Sequence, residues 1–150
     1  MMTSATQLAP LACRPPCPSA CRSRSAVWLF LPRVARSVPA VRHRVDCLMQ
    51  RWNLLEVGED AALLASELAA NAVRHAVGSG YAVAVSASAK LVLVEVFDAE
   101  PQLPVIREPD HVREYGRGLA TVAALATDWG AFRCGAGKCA WFTLQLPAAA

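Results

Sequence analysis

The sequence of 150 residues predicts an α/β fold: a two-layer sandwich in which three helices share one face of a mixed, mostly antiparallel sheet. Three observations lead there. The elements run β, α, α, β, β, loop, α, β, β. Consecutive strands follow one another through tight turns, which pairs them antiparallel and excludes a doubly wound parallel sheet. The composition, 55% apolar with 18% charged, suits one domain with a sizeable core and excludes bulk disorder.

Residues 1 to 25, rich in Pro, Ser, Arg and Cys, carry no apolar period and are expected to form a flexible leader. The folded domain is expected over 26–150. Its first element is the short apolar run Ala26 to Leu31, a strand that Pro32 closes. Ser37 then stands as an N-cap candidate with Pro39 in the first turn, and Val38, Val41, Val45, Leu48, Met49 and Trp52 recur at three and four, predicting a helix up to Asn53. A second helix is predicted from about Gly58 to Ala76, with Asp60 in its first turn, Leu63, Leu64 and Leu68 as its apolar face, and Gly78-Ser79-Gly80 to stop it. Tyr81 to Ala87 alternates and Leu91 to Phe97 is rich in β-formers, so the two make a hairpin about Ser88-Ala89-Lys90. From 99 to 115 the chain is a polar loop with Pro101, Pro104 and Pro109, long enough to act as a lid or binding loop. A third helix, about Arg117 to Thr127, and a closing hairpin, Trp129 to Cys134 with Cys139 to Leu146, complete the domain.

The net charge of +3 conceals an asymmetry: residues 1–56 hold eight Arg against Asp46 and Glu56, a balance of +6, while the remainder carries −3. With no Lys and no interleaved aromatics before Trp28, the basic leader reads as a tail rather than a nucleic-acid arm. Cys13, Cys17 and Cys21 follow none of the zinc spacings. The run Ala26 to Leu31 is far short of the ~20 apolar residues of a membrane span, and Pro32-Arg33 stands where the cleavage site of a secretion signal belongs. The expectation is a cytoplasmic protein whose cysteines are thiols; a disulfide between Cys134 and Cys139 across the last hairpin is the other option.

Three short segments carry chemistry. In the second helix, Glu67 and Asn71 are four apart and share a face, with Arg74 and His75 a turn later. The plain account is a solvated stripe; the functional one is an amide oxygen suited to Mg²⁺ beside a carboxylate suited to general-base work. Asp98 ends a buried strand, where it either caps a turn or accepts from an exocyclic amine. Gly116-Arg117-Gly118-Leu119 opens a helix, and two glycines there let backbone N–H groups approach a phosphate. Thr121 removes it from the dinucleotide fingerprint, and Gly137-Lys138 lacks the remainder of a P-loop.

In this order and spacing, Glu67-x3-Asn71, Asp98, a lid and Gly116-x-Gly118 resemble the GHKL superfamily of ATP-binding domains. Ser66-Glu67-Leu68-x-x-Asn71-Ala72-Val73-Arg74-His75-Ala76 and Gly116-Arg117-Gly118-Leu119, with Trp129-Gly130 and the closing Trp141 strand, are similar to the anti-sigma-factor serine/threonine kinases of bacteria, over residues 26 to 147. The resemblance implies ATP and Mg²⁺ as cofactors, Asn71 as the metal ligand, Glu67 as the catalytic base, and Asp98 as the acceptor of the adenine amine. It also implies Gly116, Arg117, Gly118 and Leu119 around the phosphates with Arg74 assisting, and 99–115 as the ATP lid. Ala99 stands where relatives have glycine after the Asp, and Cys139 where they place a Thr that fixes adenine; a thiol is the poorer hydrogen-bonding group. The implied reaction is γ-phosphoryl transfer to a small anti-anti-sigma protein, with a sigma factor as a second partner and a homodimer as the common assembly. The alternative is a non-catalytic ATP-binding module that sequesters a sigma factor or other partner. No membrane or nucleic-acid partner is expected.

Overall fold

The computed structural model describes residues 26–104 and 117–149; the leader, residues 105–115 of the expected lid, Gly116, and the side chain of Arg117 lie outside the described residues. The elements are β1 (Val27–Pro32), α1 (Ser37–Arg51), α2 (Leu55–His75), β2 (Gly80–Ala87), β3 (Leu91–Asp98), α3 (Arg117–Leu125), β4 (Asp128–Cys134) and β5 (Gly137–Gln145). The five strands form one sheet in the order β1-β2-β3-β5-β4, and every neighbouring pair is antiparallel, so the sheet is wholly antiparallel rather than mixed. The three helices pack as the second layer, α2 in the middle between α1, α3 and the sheet.

Strand alternation divides the sheet's side chains. Tyr81, Val83 and Val85 of β2, Val92, Val94 and Val96 of β3, and Phe142 and Leu144 of β5 face the helices and join Val41, Val45, Met49, Leu64, Leu68 and Val122 in one core. The other face carries Trp28 and Phe30, stacked on each other, with Trp28 also tilted against Phe97. Trp141 lies over Gly130, where a Cβ would come within 3.0 Å of its ring. On this same face Ala82, Ala84 and Ser86 are buried, although among the described residues the helices pack on the other side of the sheet.

Two further details differ from expectation. Ser37 does not cap α1: the N-cap residue is Arg36, and the buried Ser37 hydroxyl bonds the Val34 carbonyl (2.8 Å) and the Tyr81 hydroxyl (2.7 Å). A buried hydroxyl that finds two partners, one three residues back and one across the core, has no need of the helix N–H groups. The second helix also starts three residues before Gly58. Asn53, at φ 56°, closes the turn out of α1, and Leu54 precedes the first helical residue. Gly58 is therefore inside α2, where a Cβ would sit 3.5 Å from that of Met49; it is a point of close helix packing and not a boundary.

The turns hold the layers together through polar contacts. Ser88 closes the β2–β3 hairpin by accepting from Lys90 N–H and Leu91 N–H, each at 3.2 Å. Arg33 donates to the Gly78 carbonyl (2.7 Å) and the Val73 carbonyl (3.2 Å), placing a cation at the C-terminal end of α2. Among the described residues no helix is long and apolar enough to cross a membrane.

Candidate functional site

The middle helix brings the first two sequence segments together. Glu67 and Asn71 are half-buried and one turn apart on α2, about 6 Å along its axis. The first turn of α3 lies against Glu67: a Cβ on Gly118 would come within 2.7 Å of Glu67 Oε2. The absence of a side chain at 118 is thus what lets the helix start and the carboxylate occupy adjoining space. Leu119, next in the chain, turns the other way into the core. Arg74 and His75, exposed in the last turn of α2, lie farther along the same helix.

Asp98 closes the other end. β3 finishes there, and beyond it Ala99 lies beside the turn leaving α2, its Cβ 3.9 Å from where a Cβ on Gly78 would stand. Asp98 Oδ1 accepts from the Glu100 N–H (2.8 Å) and from Lys138 Nζ (2.9 Å), and the two side chains of this ion pair are 4% and 6% exposed. Lys138 Nζ donates to the Glu100 carbonyl as well (3.3 Å). The register pairs Asp98 with Lys138 and Phe97 with Cys139. The side chains of 98 and 138 therefore share the helix-facing side, whereas Cys139 is buried on the opposite side of the sheet. Cys139 is thus not brought to Asp98; the cation one residue before it is.

Lys138 is the site residue that sequence reasoning missed. Its neighbour Gly137 held the signal: a Cβ there would overlap the Asp98 carbonyl oxygen, so only glycine lets the start of β5 close on the end of β3. Cys134 and Cys139 are not opposite each other, since Cys134 pairs with Gly137 and Cys139 with Phe132, and both are thiols rather than a disulfide.

Burial alone, with no neighbouring charge, raises the Glu95 carboxyl above the ordinary carboxylate value. It lies on the open face between Ala84 and Trp141, away from Glu67 and Asp98. A charged hollow of about 380 Å³ between α1 and α2, lined by Arg42, His43, Asp46 and Glu59 among others, also lies apart from these residues. Its charged groups are half-buried or exposed side chains of helix surfaces, and none of Glu67, Asn71, Asp98 and Gly118 lines it. Among the described residues no cluster of three or more His, Cys, Asp or Glu is placed to hold a metal ion.

A scan against protein-family models and a search of curated proteins find no match to this chain. The functional reading therefore rests on the motifs and on this geometry.

Proposed function

We propose that the protein is an ATP-binding regulatory domain of the GHKL type, acting as a serine/threonine kinase of the anti-sigma-factor kind on a small protein partner. The observation that carries this reading is the approach of Gly118 to Glu67, with Asn71 on the next turn of α2 and the buried Asp98 at the end of β3. A solvated stripe of unrelated polar residues has no reason to meet a glycine at a helix start.

Each residue has a task under this reading. The N-terminal N–H groups of α3 and its dipole attract phosphate oxygens, and Gly118 keeps the approach open. The Asn71 amide oxygen is a hard ligand, half-buried and one turn from Glu67, and would hold Mg²⁺ together with phosphate oxygens and water. When bound, the cation would neutralise charge on the triphosphate. Asp98 would accept from the adenine amine. Glu67 would take the proton of the attacking Ser or Thr hydroxyl as its oxygen bonds the γ-phosphorus, the bond to the β–γ bridging oxygen breaks, and ADP departs with that electron pair. Positioning and charge supply the rate; no covalent enzyme intermediate is involved.

The test is transfer of label from γ-labelled ATP, with Mg²⁺, to a candidate anti-anti-sigma protein. The expected result is labelled partner with the wild-type chain and none with Glu67→Gln. If ATP binds yet label never reaches the partner, the protein is a sequestering module instead. Asn71→Ala should abolish Mg²⁺-dependent ATP binding, and unchanged binding in that variant would overturn the site.

A further inference from the structure

We infer that Lys138 is a base-reading residue: together with Asp98 it recognises the ring edge of adenine and sets the preference for adenine over guanine. The inference rests on the ATP reading above and assigns that site a determinant the motifs do not contain.

The donor and acceptor inventory carries it. Among the described residues Lys138 Nζ gives two of its three N–H groups, one to Asp98 Oδ1 and one to the Glu100 carbonyl. Among the same residues Asp98 receives two donors, Lys138 Nζ and the Glu100 N–H, both on Oδ1. Toward the described residues the pair therefore leaves an N–H on the ammonium and the second carboxylate oxygen, an acceptor beside a donor, at the helix-facing end of the sheet. Adenine offers the complement on adjacent positions: its exocyclic N6 amine donates and its ring N1 accepts. With the amine on Asp98 Oδ2, N1 falls to Lys138 Nζ. Guanine in the same orientation turns O6 toward the carboxylate and N1–H toward the ammonium, a mismatch at both positions, and unpaired buried polar groups are what make such discrimination strong.

The frame that holds Lys138 there is rigid. The antiparallel register sets 138 opposite 98, and Gly137 seats the strand start against the Asp98 carbonyl. Both side chains are almost fully buried, so the ammonium is held within the site and does not wander as an exposed lysine would.

Affinity of the full chain for ATP, for 1-deaza-ATP, in which ring N1 is a C–H, and for GTP, measured calorimetrically with Mg²⁺, tests this. Wild type should bind 1-deaza-ATP about tenfold more weakly than ATP, the loss of one hydrogen bond to a charged donor. GTP should bind more weakly still. In Lys138→Met the two adenine nucleotides should bind alike, and in Lys138→Arg the difference should persist. Equal affinity of wild type for ATP and 1-deaza-ATP overturns the role of Lys138 and leaves the ATP reading standing; so does a full tenfold difference retained in Lys138→Met. No ATP binding to wild type overturns both. Equal wild-type affinities overturn the role even where the Met variant does not fold.

Discussion

Replacing Lys138 by Met should destabilise the fold far more than removal of an ordinary surface lysine. The pair it forms with Asp98 has an N–O distance of 2.9 Å and both side chains are more than nine-tenths buried. At an effective dielectric of ~20 the attraction between unit charges at that distance is about 6 kcal/mol, and the cost of desolvating both ions offsets most of it. The balance changes when one partner is removed. Asp98 then keeps its carboxylate in the same place with the Glu100 N–H as its hydrogen-bond donor among the described residues. Breaking a buried pair in this way costs about 3–5 kcal/mol, against about 0–1 kcal/mol for an exposed pair. For a domain of this size that is a fall in Tm of roughly 10–20 °C. Urea unfolding followed by tryptophan fluorescence and far-UV circular dichroism measures it, with an unchanged m-value as the sign that stability alone has moved. Removing both charges, in Lys138→Met with Asp98→Leu, should recover most of the loss. Because the pair is buried, 1 M salt should leave the effect of the single variant in place. A loss below about 1 kcal/mol, or one that salt abolishes, would refute the argument, since it would mean the pair behaves as a surface pair.

Gly118→Ala should leave stability within about 1 kcal/mol, because the group in its way is the end of a flexible side chain, but displacing the Glu67 carboxylate should lower phosphoryl transfer by about 10²-fold. Wild-type turnover in a folded Gly118→Ala protein would show that the approach of the two residues is incidental. Glu95 binds its proton more tightly in the folded state than in the unfolded chain, so stability should fall as pH rises through the interval between the two pKa values and stay lower above it. Glu95→Gln should remove that slope and be the more stable protein at neutral pH; an identical pH profile in chemical denaturation would contradict it. Ser37→Ala leaves the Tyr81 hydroxyl without the partner it has at 2.7 Å, and should cost about 1–3 kcal/mol in the same assay, where a mere N-cap role would leave Tyr81 unaffected.

The elements were legible because their periods are strong. Val83 and Val85 alternate with Ala82, Ala84 and Ser86, and Val41, Val45 and Met49 recur on one stripe of α1; each pattern specifies a face before any partner is known. What escaped the sequence is where two segments meet. Ser37 has the right residue type for a cap, and only the position of Tyr81, 44 residues on, turns its hydroxyl inward. Gly58 suggests a helix boundary until Met49 is seen packed against it.

The site divides along the same line. Glu67 and Asn71 share a helix face by spacing alone, so their proximity was legible. Their meeting with Gly118 depends on how α3 docks on α2, 51 residues later in the chain, and no local pattern encodes that. Whether 138 or 139 faces Asp98 is a question of sheet register, in which a slip of one residue exchanges the two sides. The deciding element is Gly137: any side chain there would run into the Asp98 carbonyl, and its backbone position puts Lys138 on the helix side and Cys139 on the aromatic side. The thiol expected beside the adenine amine is replaced by a buried ammonium, a far stronger donor. Read along the chain, Cys139 looks like a weakened hydrogen-bonding group near Asp98; once the register is known, the side chain set against Asp98 is the buried ammonium of Lys138.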